Sequence, residues 1–217
     1  MGGALRKQYM PLDGTPILGR TLSVFVHSGL FDEIVAVVPG NDIDYCRTTL
    51  LEPLAMADRI RLVAGGGQRQ ESVRRGLARC RGGATDVVLI HDGVRPFIDV
   101  ALLRACLAAA AQHGACIVGY PEADTLKRVN RQGFILDTHP REGLWCVQTP
   151  QGFQLGLIRA AHQQAREEGI NGTDDAQLVE RMGRPVRVIA GSALNIKITR
   201  PEDLELAQAI LRCGLGG

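Results

Sequence analysis

The chain has 217 residues, 45% of them hydrophobic and 22% charged, with a formal net charge of +2 at pH 7. That length and composition suit a single globular domain with a full core, and so small and evenly spread a charge argues against a nucleic-acid-binding or membrane-binding surface. No apolar run reaches the roughly 18 residues of a membrane span and the first residues lack a secretory apolar stretch, so a cytoplasmic protein is expected.

The first signal along the chain is Lys7, just ahead of the turn Pro11-Leu12-Asp13-Gly14 and of a helix predicted over Pro16 to Ser28. A lysine so placed can lay its ammonium over a phosphate, or it is a solvated surface lysine. Pro16 suits the first helical turn, where a missing N–H costs nothing. A strand over Glu33 to Val38, a helix over Ile43 to Leu51 and a strand over Ile60 to Val63 follow, the strands rich in β-branched residues. Next come Gly65, Gly66 and Gly67, then Ser72 within a helix predicted over Gln70 to Arg79. Glycines between a strand and a helix let the backbone approach an anion at the helix N-terminus, and a serine hydroxyl there can read a base edge; the plainer alternative is a simple turn.

Asp86 to Ile90 reads as a buried strand whose carboxyl end carries His91, Asp92 and, after a short turn, Arg95. Ligands of open α/β sheets bind at such strand ends, and a lone carboxylate suits Mg²⁺, which takes one or two carboxylates together with phosphate oxygens. Asp92 and Arg95 as a mutual ion pair closing the loop is the alternative, and His91 reads as a packed or hydrogen-bonded histidine. A helix over Val100 to His113 and a strand over Ala115 to Gly119 come next. The alternation then breaks: from about 124 to 148 the sequence reads as two strands around Asn130-Arg131-Gln132-Gly133, a hairpin projecting as a lid or as an arm that meets another subunit. Thr125, Arg141 and Thr149 sit in or beside it, able to hold a phosphate monoester or simply solvated.

The remaining elements are helices over Leu155 to Glu168 and Asp174 to Met182, a strand over Val186 to Ile189, and a helix over Pro201 to Leu211. Just ahead of that last helix lies Lys197, either a ligand or a surface lysine. Six cysteines fall at no metal-like spacing, which favours reduced thiols. Strands alternating with helices give the fold class: α/β, a Rossmann-like, doubly wound and mostly parallel sheet in one domain over 1–217, with a protruding β-hairpin arm. Two lysines, two arginines and one carboxylate, together with glycine-rich backbone, make a phosphate-handling set.

Taken in order, Lys7-Gln8-Tyr9, the glycine run with Arg69 to Val73, His91-Asp92-Gly93-Val94-Arg95-Pro96, Asp124-Thr125-Leu126-Lys127, Gly143-Leu144-Trp145, Thr149-Pro150-Gln151 and Asn195 to Leu204 resemble the 2-C-methyl-D-erythritol 4-phosphate cytidylyltransferases. The resemblance implies a nucleotidyltransferase fold and transfer of CMP from CTP to that polyol phosphate. It implies that Lys7 stabilises the transition state and Asp92 orients Mg²⁺ on the CTP phosphates, while Gly66, Gly67 and Ser72 read cytosine. Arg141 and Lys197 would position the polyol phosphate, assisted by Arg95, Thr125 and Thr149. The arm would cross to a second subunit, so that Arg141, Thr125 and Thr149 serve the partner's site in a homodimer. The resemblance also aligns Met1 with the methionine of the family's Gly-x-Gly-x-Arg-Met loop. An initial strand and most of that loop are then expected ahead of Met1, and without them the sheet would hold an unfilled slot flanked by strand edges. Rival readings are a cytidylyltransferase for another polyol phosphate such as ribitol 5-phosphate, and a non-catalytic nucleotide-binding fragment.

Overall fold

The computed structural model describes residues 6–215. Met1, with the loop alignment it anchors, lies outside the described residues. A short 3₁₀ turn, Lys7–Tyr9, leads into a two-residue antiparallel pair, β1 (Pro11–Leu12) and β2 (Thr15–Pro16), turned by Asp13 and Gly14 at positive φ. Helix α1 (Ile17–Ser28) begins one residue later than expected, with Pro16 before it rather than inside it, and stops at Gly29 in the left-handed region. Strand β3 (Ile34–Val38) precedes a 3₁₀ turn, Gly40–Asp42. The helix expected over Ile43 to Leu51 is one α-helical turn, α2 (Ile43–Tyr45), that widens into a π-helical stretch, Cys46–Leu51. That widening turns Cys46, Leu50 and Leu51 into the core beside β4 (Ile60–Ala64), which lies parallel to β3.

Helix α3 (Arg69–Leu77) follows the glycine run, then β5 (Val87–Ile90) and α4 (Val100–His113), whose cap Asp99 accepts a hydrogen bond from the Leu102 N–H. Strand β6 (Ala115–Pro121) leads to the arm, an antiparallel pair of β7 (Leu126–Val129) and β8 (Ile135–His139). The chain returns as β9 (Trp145–Gln154) and ends with α5 (Leu155–Glu167), α6 (Asp175–Arg181), β10 (Arg187–Ala190) and α7 (Pro201–Arg212).

Strand β9 corrects the sequence reading, which ended the arm at 148 and expected no strand between there and α5. It lies inside the main sheet, in the order β10-β6-β9-β5, and is antiparallel to both neighbours, whereas the other three strands run the same way. Its buried positions include Gln148, Thr149 and Gln151, which break the apolar signature of a core strand. They are tolerated because each is hydrogen-bonded: Gln148 donates to the Ser192 and Asn195 carbonyls, and Gln151 to the Asp174 carboxylate. Gly152 is required where β9 passes beneath α4: a Cβ there would stand 2.9 Å from Leu89 and 3.0 Å from the Cys116 sulfur.

Strands β3 and β4 form a separate parallel pair. Between β3 and β5 lies a cavity of about 600 Å³, lined by consecutive residues of both strands, with Arg69, Ser72, His91 and Asp92 also on its wall. Among the described residues no helix is long and apolar enough to cross a membrane, and all six cysteines are free thiols.

Candidate active site

Three loops meet around the carboxyl end of β5. The β5 strand delivers His91 and Asp92, and the turn that follows brings Arg95 back through a hydrogen bond from its N–H to the Asp92 carbonyl at 3.0 Å. The segment between β10 and α7 brings Lys197, and the start of α3 brings Arg69.

Asp92 is the hub. Its Oδ2 lies 3.0 Å from Lys197 Nζ and 3.4 Å from Arg95 Nε, while its Oδ1 faces Arg69 Nε, at 3.7 Å. Burial works to raise the Asp92 pKa, but the Lys197 ammonium, with Arg69 and Arg95, outweighs it and holds the carboxyl below the usual range. Asp92 is therefore an anion across the neutral range, surrounded by more positive charge than it cancels. Arg95 is itself buried, and its Nη1 donates to the Asn195 carbonyl at 2.8 Å. The Asp92–Arg95 ion pair of the plainer sequence reading is present, but it forms one side of a larger cluster.

Thr149 locks this turn from the far side. Its Oγ1 accepts the Asp92 backbone N–H at 3.0 Å and lies 3.0 Å from His91 Nδ1, while His91 Nε2 lies 3.1 Å from the Arg95 carbonyl. A neutral imidazole satisfies all three contacts: Thr149 donates to Nδ1, and the Nε2–H donates to the carbonyl. Thr149, which the resemblance groups with the arm residues, thus has its hydroxyl engaged by its own chain's His91 and Asp92.

His91 also lines the β3–β5 cavity, and burial pushes its pKa down from 6.5 to about 4. The unfolded chain then binds a proton on His91 below pH 6.5 that the folded chain refuses until about pH 4. The stability this neutral imidazole contributes is present above pH 6.5 and is lost as pH falls through that window. Urea unfolding midpoints measured from pH 7 to 4 are expected to fall, and to fall less steeply in His91→Gln; equal slopes in the two proteins would show that His91 does not carry the effect.

The glycine run is built as a tight turn. The Gly66 N–H donates to Ser72 Oγ at 3.0 Å and the Ser72 hydroxyl to the Gln68 carbonyl at 3.0 Å, while the Gly67 N–H reaches Glu71 Oε2 at 3.3 Å. A Cβ on Gly66 would come within 2.4 Å of the Glu71 side chain. Ser72 thus has a role in shaping the loop, whatever else it touches. Lys7 stands half-buried on its 3₁₀ turn, without an ion-pair partner among the described residues. Thr125 and Arg141 are exposed on the arm, where the Arg141 guanidinium donates to the Ala123 carbonyl; within one subunit, the contacts of neither lead to the Asp92 cluster.

Anionic Asp92 among cations, beside a glycine turn at the edge of an α/β sheet, is a place for phosphate groups. The family sequence model described as "IspD: 2-C-methyl-D-erythritol 4-phosphate cytidylyltransferase" matches residues 1–213. The chain belongs to this family.

A 2-C-methyl-D-erythritol 4-phosphate cytidylyltransferase of Geobacter metallireducens is 47% identical over 214 residues, spanning 98% of this chain and 92% of the relative. Among solved structures, the 4-diphosphocytidyl-2C-methyl-D-erythritol synthase of Anaerococcus prevotii aligns with a TM-score of 0.86 at 33% identity, over 97% of this chain and 92% of that one. The 2-C-methyl-D-erythritol 4-phosphate cytidylyltransferase of Thermus thermophilus aligns at 0.82 with 35% identity, over 95% of this chain and 93% of that one. As a family member this chain is a nucleotidyltransferase, and the expected α/β nucleotidyltransferase fold is the one it has.

Two residues at this cluster received no role from the sequence. Arg69 stood inside a recognised run, yet a first-turn arginine is normally a solvated charge. Asp175 lies in the first turn of the helix expected from Asp174; Asp174 is the cap, accepting from the Gln177 N–H, whereas Asp175 turns inward and is 1% exposed. A carboxylate at a helix start is an ordinary surface feature, so only the tertiary structure marks this one as buried.

Proposed function

We propose that this cytidylyltransferase transfers CMP from CTP to 2-C-methyl-D-erythritol 4-phosphate, releasing pyrophosphate and 4-diphosphocytidyl-2-C-methyl-D-erythritol in isoprenoid precursor synthesis. The observation that carries the reading is the Asp92 cluster, in which Lys197, Arg95 and Arg69 converge on one carboxylate beside the glycine turn. A phosphate oxygen of the acceptor attacks the α-phosphorus of CTP, the new P–O bond forms, and the bond to the β-phosphate bridging oxygen breaks with its electron pair leaving on pyrophosphate. A phosphate monoester has a second pKa of about 6, so the nucleophile is already anionic and needs no general base. What the protein supplies is alignment of two polyanions and positive charge around the phosphorus.

In this reading Lys7 and Lys197 face the developing charge, and Arg95 braces Asp92 and the 195–197 segment. Gly66 and Gly67 present backbone to the nucleotide, with Ser72 holding their turn and reaching the base. Thr149 sets the Asp92 main chain, while Thr125 and Arg141 reach the acceptor phosphate of the partner subunit's site in a homodimer.

Asp92 also fits Mg²⁺. The described residues contain no cluster of three His, Cys, Asp or Glu side chains able to hold a metal alone. Asp92 Oδ1 is the one carboxylate oxygen of the hub not gripped by Lys197 or Arg95, which suits an ion that takes most of its ligands from phosphates and water. When bound, Mg²⁺ would neutralise triphosphate charge and help pyrophosphate leave.

The test is pyrophosphate release from CTP with a panel of phosphorylated polyols. A strong preference for 2-C-methyl-D-erythritol 4-phosphate is expected. Preference for ribitol 5-phosphate would replace the substrate, and CTP binding without turnover on any acceptor would make the chain a nucleotide-binding protein.

A further inference from the structure

The chemistry above leaves Asp175 without a part, yet its side chain is buried, at 1% exposure. It sits in the first turn of α6, and its Oδ1 accepts a hydrogen bond from Nε2 of His162, a residue of α5 that is equally buried, at 3.0 Å. The backbone N–H groups of Asp175 and Ala176 both donate to Gln151 Oε1, at 3.2 and 3.1 Å, which ties the turn to β9. The second carboxylate oxygen, Oδ2, faces Arg69 Nη2 at 2.7 Å, close enough for an ion pair but off the direction of a hydrogen bond. The same guanidinium presents its Nε to Asp92 Oδ1 at the longer distance of 3.7 Å. Arg69 thus lies between two carboxylates and is gripped by the deeper one.

We propose that Asp175 is a positioning residue that holds Arg69 back from Asp92 and so keeps Asp92 Oδ1 open to a divalent cation arriving with the nucleotide. The inference rests on the reading of Asp92 as the carboxylate that faces Mg²⁺. A buried carboxylate demands a counter-charge far more strongly than a partly solvated one, so the arginine's position is set by Asp175. Without that anchor, the guanidinium is free to close on Asp92 as a charge-assisted, two-pronged pair. It would then occupy the oxygen that Mg²⁺ must approach to about 2.1 Å. On this account Arg69 is a restrained competitor of the metal, and Asp175 is the restraint.

The two residues therefore have opposite expected effects, which a purely structural role would not produce. The quantity to measure, by calorimetry, is the ratio of CTP affinity with Mn²⁺ to CTP affinity without metal. Taking this ratio cancels any general loss of nucleotide binding and isolates the coupling between metal and site. In Asp175→Asn the ratio is expected to fall by about 5- to 10-fold, as an added charge at close range would produce at a high effective dielectric. In Arg69→Gln it is expected to rise by about 3-fold or more, because the competing cation is gone. The double variant Arg69→Gln/Asp175→Asn, which removes the buried carboxylate together with its counter-charge, should behave like Arg69→Gln.

Circular dichroism and thermal unfolding establish that each variant is folded. Should Asp175→Asn fail that check, Arg69→Gln and the double variant decide: a raised ratio sustains the proposal, and an unchanged or lowered one overturns it. Asp92→Asn separates the two layers of inference. If it abolishes the metal-linked gain while Asp175→Asn leaves it unchanged, the role of Asp175 alone is overturned. If Asp92→Asn keeps the full gain, the reading of Asp92 falls and this proposal falls with it.

Discussion

Replacing Lys197 with alanine is expected to lower kcat/KM for cytidylyl transfer by about 100-fold or more, the scale seen when one preorganised stabiliser of a developing anion is removed. Two losses add. The ammonium is 3.0 Å from Asp92 Oδ2, yet its side chain is 40% exposed, so it spans the distance from the buried hub to the open side where a phosphate can reach it. Its removal takes a cation away from two polyanions that must be brought together. It also strips Asp92 of the largest influence opposing burial, which moves the carboxyl upward toward protonation. Lys197→Arg keeps the charge but replaces a compact point donor with a planar fork, so an intermediate loss is expected. Steady-state kinetics with CTP and acceptor varied separately, on protein of unchanged circular dichroism, provide the check. A Lys197→Ala enzyme within about threefold of the parent rate would remove Lys197 from the reaction centre.

What the sequence made legible follows from where its signals are local. Every strand it identified lies in the structure within a residue or two of its expected place, because runs such as Val87 to Ile90 are apolar throughout and flanked by turn residues. The hub was legible too, since Asp92 at a strand end and Lys197 ahead of a proline-started helix are patterns of residue type and position. The illegible parts depend on contacts made far along the chain. Strand β9 is held by Gln148 and Gln151, which look like loop residues until Asn195 and Asp174 complete their hydrogen bonds. Thr149 read as an arm hydroxyl because its partners, His91 and Asp92, lie 58 and 57 residues away. The π-helical stretch Cys46–Leu51 has a helical pattern in sequence, and only packing against the sheet selects the wider turn.

Mixing an Arg141→Ala chain with an Asp92→Ala chain, each nearly inactive alone, is expected to restore activity. The reason lies in the arm. Phe134, Ile135 and Leu136 are 69%, 62% and 58% exposed, and because successive strand residues point to opposite faces, both faces of the β7–β8 pair carry uncovered apolar surface. A two-stranded hairpin is marginal on its own in water and gains stability when something covers it. A second copy of the chain is the natural cover, since a two-fold contact supplies the same surface from both sides. Arg141 stands in the turn at the base of this arm, with its guanidinium exposed and donating to the Ala123 carbonyl, so within its own subunit it does not join the Asp92 cluster. If the arm carries it to the partner's cluster, every complete site combines Asp92 of one subunit with the arm of the other. In a mixed dimer one site then receives both substitutions and the other receives neither. Random pairing makes half the dimers mixed, and half the sites in those are intact, so recovery should approach about one quarter of the parent activity. Subunit exchange is followed independently with differently tagged chains, and recovery should rise in step with it. Full exchange without recovery would place Arg141 and Asp92 in the same subunit's site, or leave Arg141 with no part in the reaction.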